Sequence, residues 1–163
     1  MCSRTDDAYH PTDLLSDILG NGNSSRLYYE LVKNKNLFSE INAFVMGSMD
    51  KGLFVVSGNL LKGIKPKDAE AAINSEIDKI RTSMIDEKEL QKVKNKVEST
   101  LVFSEMNVLD KAMNLAFAEL AGDAENVNLE AGKYQAVTPE KILDTAVNVF
   151  RPENCSTLYY KAK

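Results

Sequence analysis

The segment from Asp13 to Phe44 reads DLLSDILGNGNSSRLYYELVKNKNLFSEINAF, and it decides the fold of this chain. An apolar stripe at helical spacing opens it: Leu14, Leu15, Ile18 and Leu19. Gly20 ends this helix, and the small polar residues that follow are typical of a turn. From Ile41 onward apolar and polar residues alternate, which predicts a half-buried strand. The segment therefore predicts a helix, a turn, a second short helix and a strand.

The second helix is expected to begin at Asn23 or Ser24, which are both good N-cap residues. Its apolar face is formed by Leu27, Tyr28, Leu31 and Val32. After the first strand, GSMDKG at 47–52 predicts a turn, and LFVVSGNLL at 53–61 predicts a second strand rich in β-branched residues. These two strands should form an antiparallel pair.

The rest of the chain is mostly helical in its pattern. Pro66 precedes one helix, and Asp86 with Glu89 resembles a capping box that opens the next. Further apolar stripes run through 90–101 and 109–120, a weaker helix is expected at 126–137, and Thr138 caps a strong one. CSTLYYKAK at 155–163 predicts a closing strand. The pattern predicts a single α+β domain over 1–163, a two-layer sandwich with helices packed on one face of a mostly antiparallel sheet.

Composition argues against several classes of function. The net charge is −4, and the lysines of 88–96 alternate with glutamates, so we expect a solvated helix face and no nucleic-acid site. No stretch approaches the ~20 apolar residues of a membrane span. The acidic N-terminus does not resemble a signal peptide. The chain begins almost in mid-element, with at most the remnant of a strand, which suggests a fragment or an excised domain.

No residue has the surroundings of a catalyst. His10 is the only histidine, so the chain cannot build the two-histidine site of HExxH or HxxEH enzymes, and we predict that it holds no metal. We expect His10 to be a local turn or capping residue. Cys2 and Cys155 lie near opposite ends of the chain, and the sequence leaves open whether they are reduced thiols or a disulfide.

The ordered set of segments resembles a known family. DLLSDILGNGNSSRLYYELVKNKNLFSEINAF is similar to the opening of the C-terminal homologous domain of insulinase- and pitrilysin-type zinc peptidases, which include the mitochondrial processing peptidases. KGLFVVSGNL at 51–60, DEKELQKVKNKVESTLVF at 86–103 and TPEKILDTAVNVFRPEN at 138–154 resemble the next strand, the long helix and the last helix of that domain. The resemblance covers nearly the whole chain.

This resemblance implies a division of labour between two similar halves that enclose a chamber. The N-terminal half of such peptidases carries zinc on an HxxEH motif, and the C-terminal half lacks the metal and closes the chamber wall. Many members grip the peptide through an arginine and a tyrosine, but those positions are Val32 and Ser39 here. Arg26 in the SRL motif is the remaining candidate for substrate contact, but a structural role, in which it bonds loop or helix-end carbonyls, is favoured.

Two functions follow as expectations. The chain is either the non-catalytic half of a zinc endopeptidase that encloses an extended, unfolded peptide, or an inactive structural domain of the same fold. An unrelated binding module is a third, generic alternative. The partner would be a catalytic half in the same polypeptide or in another subunit, which would hold the zinc. The isolated chain is expected to be soluble, cytoplasmic or periplasmic if bacterial, and able to associate with itself.

Overall fold

The computed structural model describes residues 1–160. Six α-helices are described: α1 (Tyr9–Gly20), α2 (Pro66–Thr82), α3 (Glu87–Ser104), α4 (Val108–Leu120), α5 (Asn126–Gln135) and α6 (Pro139–Val149). A π-helix (Tyr28–Asn34) and a 3₁₀ turn (Pro152–Asn154) complete the helical elements. Two strands, β1 (Phe38–Met46) and β2 (Leu53–Leu60), form the sheet of the described residues. The α+β class and its helical layer are as predicted.

The two strands form an antiparallel hairpin in which Ala43 lies opposite Val56. A bulge at Phe38–Glu40 interrupts the register near the start of β1. Beyond it the structure follows the alternation of the sequence, with Ile41 and Ala43 buried and Asn42 and Phe44 exposed. One face of the hairpin therefore packs on the helices.

Helix α1 lies at the centre of the core. Its apolar stripe is completely or almost completely buried: Leu14, Leu15, Ile18 and Leu19. The helix packs against β1, α3 and α6. At its end, a Cβ on Gly20 would lie 2.0 Å from the backbone nitrogen of Ala43. Only glycine permits this close approach of helix and strand.

The second predicted helix is present, but most of it is a π-helix. The amide of Lys35 donates to the carbonyl of Glu30 at 2.9 Å, five residues earlier. Leu27 and Leu31 still face the core with no exposed surface. The prediction missed the wider turn because i→i+4 and i→i+5 bonding bury nearly the same apolar residues in so short a segment.

Caps agree with the sequence at α6 and only in part at α3. The Thr138 hydroxyl accepts a hydrogen bond from the Lys141 amide at 3.3 Å, as predicted. Asp86 likewise accepts from the Lys88 amide at 3.2 Å. The expected capping box is incomplete, however, because Glu89 is taken up by Arg26.

The prediction of a solvated lysine face on α3 is wrong at Lys94. This lysine is buried, and its Nζ donates to the carbonyl of Gln135 at 2.8 Å. Lys96 donates to the carbonyl of Asn21 at 3.2 Å, and Lys92 contacts the hydroxyl of Ser24. The ammonium groups of these lysines thus donate to oxygen atoms of neighbouring segments.

At the periphery, no residue of α4 is buried, although an apolar helical stripe normally faces a core. Two expectations are also corrected there. Residues 155–160 form no strand, because Thr157 and Tyr159 instead donate side-chain hydrogen bonds to Glu70 on α2. The rest of that predicted strand, 161–163, lies outside the described residues. The N-terminal residues 1–8 likewise form turns rather than a strand.

Over the described part of the chain, no helix combines the length and the apolar character needed to cross a membrane.

Candidate functional site

The candidate substrate contact, Arg26, lies in the helical turn directly before the π-helix. Its Nε and one terminal nitrogen donate to the two carboxylate oxygens of Glu89 on α3 at 2.9 and 2.6 Å. The two side chains keep 25% and 30% of their surface exposed, so the pair is partly buried. The hydrogen bonds to Glu89 raise the pKa of Arg26, although burial opposes this. The guanidinium therefore joins the π-helix to the first turn of α3.

The two positions that depart from the family pattern lie on the π-helix and at the start of β1. Val32 is on the π-helix and is partly buried against the core. Ser39 is exposed in the bulge of β1, and its hydroxyl donates to the carbonyl of Asn59 at 3.2 Å. Valine has no hydrogen-bond donor in its side chain, and the single donor of Ser39 is engaged by Asn59. The gripping function expected of an arginine and a tyrosine has no direct substitute at these two positions.

The π-helix carries polar groups on its outer surface. Lys35 lies 3.3 Å from Glu30 and 3.8 Å from the buried carboxylate of Glu76 on α2. Lys33 lies over the ring of Tyr28 at 5.7 Å. The lysines near Val32 are thus held by partners within the chain. Tyr29, in contrast, is largely exposed and is available to a neighbouring molecule.

A groove of about 400 Å³ separates α1 from the hairpin. Asp13, Ser16 and Asp17 line its helical side, and residues 42–45 with Ser57 line the other. Burial raises the pKa of both aspartates, while hydrogen bonds from Tyr134 to Asp13 and from Asn21 to Asp17 oppose the shift. The Tyr134 hydroxyl lies 2.7 Å from Asp13. The groove offers hydrogen-bond acceptors and backbone, and its lining contains no thiol and no imidazole.

His10 is a core residue rather than the expected turn or capping residue. It occupies the second position of α1, is buried, and packs edge-on against Tyr134 at 4.8 Å. Its Nε2 lies 3.2 Å from a carboxylate oxygen of Glu130 on α5. The pKa of Glu130 is lowered by this contact even though burial acts to raise it. The imidazole therefore connects α1 with α5.

Possible metal ligands are dispersed over residues 1–160. No group of three or more histidine, cysteine, aspartate or glutamate side chains in that range could hold a metal ion. Cys2 and Cys155 are both free thiols, and Cys2 lies 3.7 Å from the hydroxyl of Thr12. Sequence reasoning missed the roles of Glu89, Asp13 and Glu130, because their partners are distant in the chain and no local spacing reveals them.

A family profile described as the Peptidase M16 inactive domain matches residues 1–97. This chain belongs to the M16 peptidase family. The matched range contains α1, the π-helix, the hairpin, α2 and the first half of α3. It contains the longest of the segments that carried the resemblance in the sequence, with Arg26, Val32 and Ser39.

Solved structures share the fold of this M16 inactive domain. A protease from Helicobacter pylori superposes with a TM-score of 0.86 at 22% identity, over 93% of this chain and 36% of its own. The inactive peptidase domain of a proposed zinc protease from Bordetella parapertussis gives a TM-score of 0.85 at 21% identity, over 94% of this chain and 82% of its own.

A proposed zinc protease from Bordetella pertussis gives a TM-score of 0.80 at 22% identity, over 91% of this chain and 82% of its own. The chain thus spans about a third of the length of the Helicobacter pylori protein. No curated protein sequence matches the chain. At these identities the structural matches establish the fold, and the family assignment rests on the profile.

Proposed function

We propose that this chain is the non-catalytic half of a zinc-dependent endopeptidase and closes a chamber around an extended, unfolded peptide. A catalytic half with an HxxEH motif, in the same polypeptide or in a partner subunit, supplies the zinc, the general base and the activated water. The observation that carries the proposal is the profile match to an inactive peptidase domain in a chain with one histidine. Two walls that enclose a peptide exclude folded proteins by size.

Arg26 is the proposed peptide contact on this wall. The side-chain hydrogen bonds within residues 1–160 engage its Nε and one terminal nitrogen, which leaves the other terminal nitrogen for a peptide carbonyl. The bidentate pair with Glu89 holds the plane of the guanidinium. The contact would position the substrate and would not take part in bond cleavage.

A reconstitution experiment tests the proposal. The chain is mixed with an HxxEH half, and cleavage of an internally quenched, unstructured peptide is followed for each half alone and for the mixture. Cleavage that requires both halves supports the proposal. Equal cleavage by the HxxEH half alone contradicts the role of this chain as a chamber wall.

Two variants separate peptide contact from structural support in the same assay. Arg26→Met removes the proposed contact, so KM should rise several-fold. Glu89→Gln weakens the same pair but keeps the guanidinium, so KM should stay near the wild-type value. If both variants change KM equally, Arg26 acts only through the structure.

The second candidate function is an inactive structural domain of the same fold. It is favoured by the two positions that grip the peptide in many family members. Here Val32 is partly buried against the core and Ser39 is bonded to Asn59, so neither is free to hold a peptide. The sequence of the full polypeptide and of its gene neighbours distinguishes the two functions. An intact HxxEH motif there supports the peptidase, and a degenerate motif supports the structural domain.

Self-association of the isolated chain is also proposed, because large exposed apolar side chains favour contact with another surface. They cluster at the end of α3 and along α4, where Val102, Phe103, Met106 and Leu109 are all exposed.

A further inference from the structure

The turn that follows α1 contains a chemically labile pair of residues. Asn21 is followed by Gly22, and this is the only asparagine–glycine pair in the chain. The backbone nitrogen of the residue after an asparagine is a nucleophile that can attack the side-chain amide carbon. Glycine favours this attack, because it has no side chain that hinders the approach and its backbone rotates freely. The sequence therefore places a nucleophile one residue from an amide.

The structure leaves this nucleophile accessible. Asn21 and Gly22 are both exposed, directly after the last residue of α1. Gly22 has a φ of +95°, in the left-handed region that favours glycine. Its carbonyl accepts from the amide of Ser25 at 3.1 Å. Its own amide donates no hydrogen bond within residues 1–160. The Gly22 nitrogen is thus open to solvent and to the side chain before it.

Contacts with α1 and α3 hold Asn21 in an unreactive conformation. Its backbone amide donates to the carbonyl of Asp17 at 3.2 Å, and its side-chain amide donates to the Asp17 carboxylate. Lys96 donates to the carbonyl of Asn21 at 3.2 Å. With ψ at 97°, the Gly22 nitrogen points away from the Asn21 side chain. Ring closure therefore requires this peptide to rotate and the side-chain amide to leave Asp17.

We propose that Asn21 is a site of spontaneous deamidation whose rate is restrained by its contact with Asp17. The Gly22 nitrogen loses its proton to solvent and attacks Cγ of Asn21. The new C–N bond closes a succinimide ring, and the side-chain nitrogen takes up a proton and leaves as ammonia. Water then opens the ring at either carbonyl, which gives aspartate or isoaspartate at position 21. This inference is independent of the proposed peptidase role.

The product changes the groove between α1 and the hairpin. Asn21 lines this groove together with Asp13 and Asp17, so deamidation adds a third carboxylate to its wall. The amide that donated to Asp17 is replaced by a group of like charge. Isoaspartate also lengthens the main chain next to Gly20, which contacts the backbone of Ala43. Deamidation should therefore make the groove more acidic and weaken the junction of α1 and β1.

Peptide mapping by mass spectrometry tests the modification on the full chain, aged in mildly alkaline buffer. We expect a gain of one mass unit at Asn21, with more isoaspartate than aspartate and a rate that rises with pH. Asn23–Ser24 in the same turn and Asn74–Ser75 in α2 are internal controls, and both should react more slowly. An unmodified Asn21, a rate no greater than that of Asn23, or a product without isoaspartate overturns the proposal.

Two variants test the restraint by Asp17. Asp17→Ala frees the Asn21 amide, so deamidation should accelerate about two- to tenfold, the range that one hydrogen bond of ordinary strength covers. Asp17→Asn is the matched control, because it keeps an acceptor for the amide and should react at a rate closer to wild type. In urea, where the turn is unfolded, the three rates should converge. Equal rates for folded Asp17→Ala and wild type contradict the restraint, and circular dichroism verifies folding.

A third variant separates the two effects of the product. Asn21→Asp introduces the charge without lengthening the main chain, so its urea midpoint should fall below that of fresh wild type. Aged protein that contains isoaspartate should have a lower midpoint still. An aged, modified protein as stable as the fresh protein would contradict the predicted effect on the α1–β1 junction.

Discussion

At the scale of single residues, Arg26 and Glu89 are separated by 63 positions and form a bidentate pair between the π-helix segment and α3. The sequence shows an arginine in SRL and a glutamate at a helix start, and both types are common in such places. Their pairing depends on the path of the chain between them. The residue types could therefore be predicted, and the contact could not.

Breaking this pair should destabilise the fold modestly. Glu89→Gln removes the charge of the acceptor and should lower the free energy of unfolding by about 1 kcal/mol, because both side chains are partly exposed and screened by solvent. Urea denaturation measures this loss. Glu87→Gln removes the same charge from an exposed position in the same helical turn and should change stability by less. Equal effects of the two variants would show that the pair contributes nothing beyond its charge.

Asp13 makes stability depend on pH in a predictable direction. Burial raises its pKa, so the folded state binds this proton more tightly than the unfolded state does. Protonated Asp13 therefore stabilises the folded state. This contribution is present in full below the ordinary carboxyl pKa of about 3.9, and it is lost as the pH rises through the raised pKa of the folded state. Asp13→Asn should therefore gain stability relative to wild type between about pH 4 and about pH 7. Denaturant unfolding at the two pH values measures this difference.

A companion variant sharpens the pH experiment. Tyr134→Phe removes the hydroxyl that donates to the Asp13 carboxylate. The loss of folding stability in Tyr134→Phe should be greater at neutral pH, where Asp13 is ionised, than in acid. A pH-independent cost for both variants would mean that Asp13 has the same proton affinity in the folded and unfolded states.

At the scale of elements, the junction of α1 and β1 depends on Gly20. Gly20→Ala places a methyl group against the backbone of Ala43 and should cost about 3 kcal/mol of stability, because a backbone cannot rotate out of the way. Gly132→Ala is the matched control, since no atom lies within 4 Å of the added carbon. That control should stabilise α5 by about 0.5–1 kcal/mol. Thermal unfolding of the two variants decides whether the junction is as tight as described.

The helices and the hairpin could be predicted from periodicity because each buries one face. The stripe of α1 and the alternation in β1 correspond directly to the buried positions. The π-helix could not be predicted. Its backbone hydrogen bonds span five residues where those of an α-helix span four, but the same leucines are buried in both cases. His10 was misplaced because its burial depends on Glu130 and Tyr134, both from a helix far along the chain.

Helix α4 shows what periodicity cannot predict. Its apolar stripe correctly predicted a helix, but none of its residues is buried. Periodicity shows that a face must meet an apolar surface, but it does not show which molecule provides that surface. The same limit applies to the predicted closing strand, where side-chain bonds to Glu70 hold residues 157 and 159 against α2.

At the scale of the whole molecule, this M16 inactive domain is a helical layer on an antiparallel hairpin, and its single imidazole is engaged in the core. Arg26, Val32 and Ser39 lie on the segment that the family profile covers. Val32 is partly buried against the core and Ser39 is bonded to β2, so under the proposed function Arg26 is the one of the three that would contact a peptide. The same proposal places the chemistry of cleavage on another half.

Metal analysis of the purified chain, combined with a cleavage assay on an unstructured peptide, tests that assignment most directly. We expect no stoichiometric zinc and no cleavage by this chain alone. One zinc ion per chain, together with cleavage that a chelator abolishes, would contradict it.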